Sequence, residues 1–293
     1  MNSFVKLGRR LHVLHALRKQ PLFRAITRTF DPIIPRRLPS FPQPISLRLL
    51  SHASLIADGE AQESSVRETF TAILKALPER PAEVFWDVGA NVGFFGWYCA
   101  TLRPDFMLVS FEPDTKNLRC LERTSRRWKL PNHVIIPCAV SEKSGRMIFH
   151  ADELSGATGT LAQSGQDFNL RHYGCVSPQV EVNTTSLDDC LRHGIPAPSI
   201  LKIDVEGAEL RVLEGAAETI GRHRPILFFE TFAYGREIVT YLEASQYICF
   251  DSDRRQSVTA ETINFVAVAP NDHAVALPVL ANLGYPIPLA HES

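Results

Sequence analysis

Glycines and polar side chains are closely spaced between Val84 and Gly93, which makes this stretch the first candidate for chemistry. An apolar run ends at Asp87 and is followed by Gly89 and Gly93, with Asn91 between them. A chain that passes from strand to helix within a few residues uses glycine to reach positive φ and to let a ligand approach the backbone. The spacing departs from G-x-G-x-x-G, so the stretch is a weaker match to an NAD or FAD site. A purely structural turn remains the alternative.

Acidic side chains stand at the ends of three further predicted strands. Glu112 follows the glycine turn by about twenty residues, where an acid can accept hydrogen bonds from both hydroxyls of a ribose. Asp114 is the better helix cap, so Glu112 is the more informative acid. Asp204 and Glu206 end a third strand, and Glu230 ends the next. Ligands bind at the carboxyl ends of strands in open α/β sheets, so chemistry explains these acids better than solubility does.

The elements that must position these residues alternate from residue 83 onward. The predicted strands are Glu83–Val88, Met107–Phe111, Val134–Val140, Val180–Val182, Ile200–Asp204, Pro225–Glu230, Tyr247–Phe250 and Asn264–Ala269, with a hairpin-like piece at Arg146–His150. The predicted helices are Phe94–Leu102, Asp114–Trp128, Ala208–Ala217, one around Arg236–Ala244, and one that Ser186 caps with Asp189. This order predicts a mostly parallel sheet with helices on both faces. Residues 151–178 lose periodicity and are expected to form a long functional loop.

The chain before the sheet divides into a basic head and a helical lead-in. Residues 1–50 carry ten Lys or Arg and one acid. Apolar residues on one face of residues 4–17 predict a basic amphipathic helix, which suits a membrane surface, a partner, or packing on its own domain. Five prolines in residues 31–44 predict an extended connection. Ser65 and Glu68 predict a capping box for the helix that ends near Pro78.

The expected domains are therefore a head with a linker, a lead-in, a body and a tail. Their bounds are 1–45, 46–80, 81–270 and 271–293, with residues 151–178 as a loop of the body. The lead-in helix is expected to pack on the body.

Composition and motifs exclude several classes of protein. With 45% hydrophobic residues, the 293-residue chain can bury a core, so disorder as a whole is excluded. Six cysteines without C-x-x-C spacing and the absence of H-E-x-x-H indicate thiols in a reducing compartment. No apolar run approaches about 18 residues and no signal peptide is evident, which predicts a cytoplasmic protein. Basic and aromatic residues do not interleave in the body, so a nucleic-acid partner is not expected. The sequence does not indicate the oligomeric state.

Taken together, the motifs resemble the FkbM-type S-adenosylmethionine-dependent methyltransferases. The similarity covers about residues 83–270 and is most specific at Leu201–Glu209. It rests on Trp86–Gly93, Phe111-Glu112-Pro113, Ala139-Val140-Ser141 followed by Gly145, Ser186–Asp189, and Leu201–Glu209 continuing through Leu213–Ala216. The resemblance implies a Rossmann-like, seven-stranded, mostly parallel sheet of class I methyltransferase type, preceded here by the N-terminal helical extension.

The resemblance also implies a role for each matching residue. Asp87, Gly89, Ala90, Asn91 and Gly93 would hold the methionine part of S-adenosylmethionine, Glu112 the ribose, and Ala139 and Ser141 the edge of the adenine. Asp204 and Glu206 would face the transferring methyl group. A sulfonium cation suits such an acidic edge.

The activity implied is O-methylation of a sugar, glycan or natural-product hydroxyl. Methyl transfer is an in-line displacement, so the protein must align the acceptor and take up its proton. Glu206 is the first candidate base, followed by Asp204 and Glu230, with His150 and His172 as further candidates.

Several alternatives remain open beside this activity. A divalent cation on the three acids is compatible with the sequence but not required by it. A non-catalytic binding or assembly protein and an NAD-linked oxidoreductase are the rival functions. Residues 1–28 are expected to contact a membrane peripherally if the head binds lipid, and residues 151–178 are expected to cover the acceptor.

Overall fold

Strands and helices alternate along the whole of the described chain in this computed structural model. The structure describes residues 18, 20–58, 63–79, 83–152, 154–162, 176–231 and 235–287. The helices are α1 (Pro21–Thr29), α2 (Ala53–Asp58), α3 (Ser64–Ala76), α4 (Phe94–Leu102), α5 (Thr115–Trp128), α6 (Leu187–Arg192), α7 (Glu209–Glu214), α8 (Ala217–His223), α9 (Gly235–Ala244) and α10 (Ala276–Asn282). The strands are β1 (Ile33–Arg36), β2 (Ile45–Arg48), β3 (Val84–Val88), β4 (Met107–Phe111), β5 (His133–Ile136), β6 (Ala139–Val140), β7 (Gly145–His150), β8 (Gln179–Thr185), β9 (Ile200–Asp204), β10 (Ile226–Glu230), β11 (Ile248–Asp251), β12 (Gln256–Ser257) and β13 (Asn264–Val268).

The main sheet has the order β12-β11-β13-β10-β9-β3-β4-β5. Strands β10, β9, β3, β4 and β5 are parallel neighbours, and β13 pairs antiparallel with β10. Because β11 is antiparallel to β13, it runs in the direction of the parallel strands. The predicted mostly parallel, seven-stranded sheet is confirmed, and the two-residue β12 extends its edge.

Side chains on the central strands alternate between two hydrophobic cores, one on each face of the sheet. On β3, Phe85 points into a core built by α3, α4, α5 and α10, whereas Trp86 points into a core built by α6, α7, α8 and α9. On β10, Phe228 and Phe229 divide in the same way. Since both faces are covered, these strands read as continuous apolar runs.

A second, three-stranded sheet corrects two of the predicted strands. The predicted strand Val134–Val140 is wrong, because β5 ends at Ile136 and β6 pairs instead with β8. Pro137 separates the two pieces, since proline has no N–H to give to a ladder and restricts the residue before it. Strand β8 contains the predicted Val180–Val182 and pairs antiparallel with β7, so it does not belong to the main sheet.

The predicted helix Ala208–Ala217 divides into α7 and α8. Gly215 separates them and packs closely on the end of β6, where an added Cβ would lie 2.3 Å from the carbonyl oxygen of Ser141. The break therefore places a glycine where no side chain fits.

The N-terminal segment packs on the body more closely than the sequence indicated. Strands β1 and β2 form an antiparallel hairpin, and Leu38 and Phe41 of the proline-rich segment are buried in the core. The Ser46 N–H donates to the Thr124 hydroxyl of α5 at 2.8 Å. Residues 31–44 are thus not a free connection, because their apolar side chains lie against α5. The amphipathic helix predicted over residues 4–17 lies outside the described residues.

Helix α3 packs on the body as expected but begins differently. Glu63, in left-handed conformation, precedes the helix without a side-chain cap hydrogen bond. The predicted capping box is therefore wrong: Ser65 lies inside the helix, and Glu68 pairs with Arg255.

The last described residues also contact α3 instead of trailing from the body. The hydroxyl oxygens of Tyr285 and Thr69 lie 2.7 Å apart. In the part of the chain that the structure describes, no helix is long and apolar enough to cross a membrane.

Candidate active site

A cavity of about 240 Å³ opens at the carboxyl ends of β3, β4, β9 and β10. Strand register explains why polar residues meet there: Asp87 of β3 lies opposite Lys202 of β9, and Asp204 lies opposite Glu230 of β10. The predicted site residues that line the cavity are Asp87, Gly89, Ala90, Asn91, Glu112, Ala139, Asp204, Glu206 and Glu230. Residues from motifs that are separate in the sequence therefore meet at one edge of the sheet, at the ends of four strands.

The glycine turn after β3 brings the backbone against β9. Gly89 has a φ of +78°, and a Cβ there would lie 1.8 Å from the carbonyl oxygen of Asp204. The N–H groups of Gly89 and Ala90 both donate to the carbonyl of Phe111, at 3.1 and 2.9 Å. Asn91 also has a positive φ, of 54°, and its buried Oδ1 has no hydrogen-bond partner among the described residues. The turn leaves one acceptor atom unused beside the cavity.

Gly93 shapes the start of helix α4 and does not contact the cavity. It precedes α4 with a φ of +82°, and a Cβ there would lie 2.5 Å from Leu121 Cδ1 and 2.8 Å from the Trp97 ring. Gly93 does not line the cavity. It lets α4 pack against α5.

Glu112 is fixed by backbone donors on both of its oxygens. Oε2 accepts from the N–H of Asn91 at 2.7 Å, and Oε1 accepts from the N–H of Asp114 at 2.8 Å. Burial, reinforced by the negative charge of Asp114, raises the pKa of Glu112 to about 8. A carboxylate has about four acceptor positions, so lone pairs remain for a ligand. Asp114 itself caps α5, accepting from the N–H of Lys116 at 2.7 Å, as predicted.

Lys202 places one buried positive charge among the acids. Its Nζ lies 2.7 Å from Asp204 Oδ2 and 4.9 Å from the centre of the Phe95 ring. Burial alone would lower the pKa of Lys202, but the carboxylates around it, led by Asp204, outweigh burial and raise it. Burial raises the pKa of Asp87 to about 6, and the charge of Lys202 limits that rise. Lys202 therefore compensates the acids on β3, β9 and β10.

The carboxyls of Glu206 and Glu230 also line the cavity. Burial, followed by the charge of Asp204, raises the pKa of both carboxyls well above the ordinary value. Within the described residues, neither carboxyl accepts a hydrogen bond. Glu206 has a φ of +55°, and its carbonyl accepts from the Thr160 hydroxyl at 2.7 Å. The backbone of Glu206 is held while its carboxyl stays free.

A turn centred on Asp152 closes the cavity on the side opposite the sheet. The Asp152 carboxylate accepts from the N–H groups of Leu154 and Thr158, at 2.8 and 3.1 Å. Although Asp152 is buried, these and further hydrogen bonds lower its pKa. The residues of this turn that line the cavity are Asp152, Ser155, Gly156, Ala157, Gly159, Thr160 and Leu161. Sequence reasoning expected residues 151–178, with Asp152 and Thr158 among them, to cover the acceptor, and an aspartate followed by Ser, Gly and Thr is typical of such turns.

The N-terminal segment supplies a further wall that sequence reasoning missed. His52, Ser54 and Leu55 line the cavity. The His52 Nδ1 accepts from the N–H of Arg48 at 2.9 Å, its Nε2 has no hydrogen-bond partner among the described residues, and burial lowers its pKa to about 3. The imidazole is thus neutral with its proton on Nε2. No local pattern marks these residues, because only the folded chain brings them to the sheet.

Two further candidates from the sequence do not line the cavity. Ser141 is buried at the end of β6, where its N–H donates to the carbonyl of Thr185 at 2.9 Å, and it does not line the cavity. His150 is buried next to the turn without lining the cavity, and His172 lies outside the described residues. No group of three or more His, Cys, Asp or Glu in the described ranges is arranged to hold a metal ion.

Comparison with known families decides which family the chain belongs to. Residues 87–285, more than half of the chain, match the family model described as the methyltransferase FkbM domain. The chain belongs to this family. It is therefore a methyltransferase, and the resemblance seen in the sequence is confirmed. The match extends beyond the predicted body and includes α10.

Similar proteins of known activity come from bacteria and archaea. The chain is 30% identical over 199 residues to the 31-O-demethyl-FK506 methyltransferase FkbM of Streptomyces tacrolimicus, which covers 59% of this chain and 76% of that protein. It is 28% identical to the 2-O-methyltransferase NoeI of Sinorhizobium fredii, with 57% and 71% covered. It is 30% identical to the hexuronic acid methyltransferase AglP of Haloferax volcanii, with 50% and 56% covered.

Solved structures show distant similarity. A crystal structure of methyltransferase FkbM from Methylobacillus flagellatus aligns with 75% of this chain and 60% of its own, at 17% identity and a TM-score of 0.43. The M. jannaschii TYW2 structure in complex with AdoMet aligns with 82% and 85%, at 12% identity and a TM-score of 0.42.

Proposed function

We propose that the protein transfers a methyl group from S-adenosylmethionine to a hydroxyl of a sugar or natural-product acceptor. The observation that carries the proposal is Glu112, a buried carboxylate held by two backbone N–H groups at the end of β4, beside the glycine turn. Fixed in this way, it can accept hydrogen bonds from the two hydroxyls of a ribose. The carboxyls of Glu206, just after β9, and of Glu230, at the end of β10, lie along the same edge.

The residues fit the methyl donor in shape and charge. Gly89 leaves room for a ligand to approach the backbone, and the unpartnered Oδ1 of Asn91 is an acceptor for the ammonium of the methionine part. Asp87 adds negative charge on the same side, and Ala139 offers an apolar edge for the adenine. When bound, S-adenosylmethionine supplies an electrophilic methyl group on a sulfonium cation, which an acidic edge favours.

Glu206 is the proposed base that takes the proton of the acceptor hydroxyl. A base works best when its pKa lies near the working pH, and burial shifts Glu206 and Glu230 in that direction. Oδ2 of Asp204 is already engaged by the Lys202 ammonium at 2.7 Å. We therefore rank Glu230 second and Asp204 third, and assign Asp204 to orienting the acceptor.

The charge of the cavity favours an acceptor without a negative charge. Among the described residues that line it, Lys202 is the one cation, because burial keeps His52 neutral. The acids Glu63, Glu206 and Glu230 line the same space. The relative AglP is named for hexuronic acid, whereas we propose a neutral hydroxyl acceptor for this chain.

Isothermal titration with S-adenosylhomocysteine tests the donor assignment. Asp87→Asn and Glu112→Gln should each weaken binding at least about tenfold, since each removes an acceptor oxygen from a buried site. Glu122→Gln, on the exposed side of α5, is the matched control and should bind like the unchanged protein. If the intact chain does not bind, or both site variants bind normally, the assignment is wrong.

Turnover separates the proposed enzyme from its two rivals. Labelled S-adenosylmethionine, supplied with fractionated neutral glycans, uronate-containing glycans and natural products, should label an oxygen of a neutral acceptor. Glu206→Gln should lower kcat about 100-fold and leave the Kd for S-adenosylhomocysteine unchanged. EDTA should have no effect, because the Lys202 ammonium already lies among the acids. Binding without transfer to any fraction would favour an assembly protein, and a fluorescence change with NADH would favour an oxidoreductase.

A further inference from the structure

Helix α1 presents large apolar side chains to solvent. Leu22 is 73% exposed, Ile26 41% and Phe30 66%. These residues are spaced by four and so form one stripe along the helix and its end. Thr27, on another side of α1, is buried, so the helix contacts the body through that side. The apolar stripe faces solvent. We name Leu22, Ile26, Phe30 and the neighbouring Leu49 the α1 surface.

Leu49 extends this surface beyond the helix. Its side chain is 40% exposed, and its N–H donates to the carbonyl of Pro32 at 3.0 Å, two residues after Phe30. Monomeric proteins rarely leave contiguous apolar patches of this kind without a binding role.

The charges near the α1 surface are positive. Arg28 lies exposed on the same helix, and Arg36 and Arg37 are exposed on and after β1. Asp31 is the one acid among residues 1–50, and it faces inward. Its carboxylate accepts from the N–H of Leu50 at 2.7 Å and from the N–H of Ser51 at 3.2 Å. No described residue from 18 to 50 therefore places a negative charge on this side.

We propose that the α1 surface docks on the surface of an anionic lipid bilayer. An apolar stripe flanked by arginines matches a lipid interface, where the apolar side chains enter the acyl boundary and the cations meet phosphate groups. The helix lies on the membrane and does not cross it, in keeping with its nine residues. The same segment continues to His52 and Leu55 in the cavity wall, so docking brings the cavity close to the lipid surface.

Co-sedimentation of the full chain with lipid vesicles tests the proposal. Vesicles of phosphatidylglycerol and phosphatidylcholine should bind the protein, vesicles of phosphatidylcholine alone should not, and added salt should weaken the binding. The triple variant Leu22→Ser, Ile26→Ser, Phe30→Ser should bind at least about tenfold more weakly. Arg24→Gln with Arg28→Gln should weaken binding several-fold and remove part of its salt dependence.

A matched control uses equally exposed apolar residues elsewhere. The triple variant Val176→Ser, Val180→Ser, Val275→Ser changes side chains that are 55%, 43% and 44% exposed and should bind vesicles normally. Both triple variants should keep normal circular dichroism and normal affinity for S-adenosylhomocysteine, which separates this proposal from the donor site. The proposal fails if the unchanged chain does not bind anionic vesicles, or if the two triple variants bind equally. It also fails if the α1 variant only turns a dimer into a monomer in sedimentation equilibrium, because the surface would then join two copies.

Discussion

Gly89 fixes the distance between the turn after β3 and the backbone of β9. Two features make glycine necessary at this position. Its φ is +78°, and an added Cβ would lie 1.8 Å from the carbonyl oxygen of Asp204. Gly194 has only the positive φ, of 84°, because nothing lies within 4 Å of a Cβ placed there. Alanine substitutions at these two glycines therefore measure separately the free-energy cost of a left-handed backbone and the cost of a steric clash with Asp204.

Gly89→Ala should therefore lower the free energy of unfolding by about 3 kcal/mol or more and abolish binding of S-adenosylhomocysteine, because the turn must move away from β9. Gly194→Ala should cost about 1–2 kcal/mol, the ordinary penalty of left-handed conformation, and leave binding intact. Urea denaturation and titration calorimetry measure both quantities. Equal losses of stability in the two variants would show that collision with Asp204 plays no part.

Lys202 is the residue whose removal should make the site sensitive to pH. Lys202→Met leaves Asp87, Asp204 and Glu230 without their buried cation, so the carboxyls of Asp87 and Glu230, whose pKa values burial already raises, must bind protons to stay buried. The loss of stability should reach about 3 kcal/mol at pH 8 and be smaller at pH 5.5, where protonation relieves the charge. Lys143→Met, at an exposed position, should change neither value. Losses that are the same at both pH values would mean that Lys202 contributes packing and not charge.

At the scale of elements, Asn117 joins three segments that are distant in sequence. Its Oδ1 accepts from Arg48 of β2 at 2.9 Å, and its Nδ2 donates to the carbonyl of Gly156 at 2.9 Å. Helix α5 thereby holds both the N-terminal hairpin and the turn that closes the cavity. These contacts hold the N-terminal hairpin, which lies outside the region that matches the family, beside the cavity.

Asn117→Ala should lower the free energy of unfolding by about 2–3 kcal/mol, since it leaves the buried guanidinium of Arg48 with one partner fewer. It should also weaken binding of S-adenosylhomocysteine several-fold, because the turn at residues 154–161 loses one of its attachments. The exposed Asn132→Ala is the matched control for both measurements. Loss of stability with unchanged affinity would show that this turn does not contact the donor.

The elements that the sequence predicted correctly are those whose signals are local. An apolar run that ends in an acid marks β3, β4, β9 and β10, and parallel pairing then brings Asp87, Glu112 and Glu230 to one edge. The elements that it missed depend on contacts between distant residues. Arg48 and His52 lie in the predicted lead-in ahead of its helix, and their position is set by Asn117 and by the hydrogen bond from the Arg48 N–H to His52.

Segments that precede and follow residues 81–270 share the core on one face of the sheet. One face of the sheet is covered by α4, α3, the N-terminal hairpin and α10, all of which share a single core. Phe70 lies at its centre, 5.1 Å from the ring of Phe85 and 5.4 Å from that of Phe228. Segments at both ends of the described chain therefore complete a layer that residues 81–270 alone leave open, a property that no single window of sequence displays.

The buried acids also give the whole molecule a pH-dependent stability. The folded pKa values of Asp87, Glu209 and Glu112, at about 6, about 7 and about 8, all lie above their ordinary values, with burial as the main cause. The folded state thus binds more protons than the unfolded chain, so the stabilisation present at low pH is lost as the pH rises through each folded value. His52 and His133 act oppositely below about pH 6.5 and are neutral in both states above it.

Between pH 7 and 8 the free energy of unfolding should therefore fall, with Glu112 alone contributing about 1 kcal/mol. Glu112→Gln should remove most of one proton from this slope, and Glu209, whose folded pKa is about 7, should keep part of the rest. Glu122→Gln should keep the full slope. Urea denaturation at a series of pH values measures each slope directly. A slope that Glu112→Gln leaves unchanged would place the titration elsewhere and would remove the reason to regard Glu112 as a desolvated carboxyl awaiting a ribose.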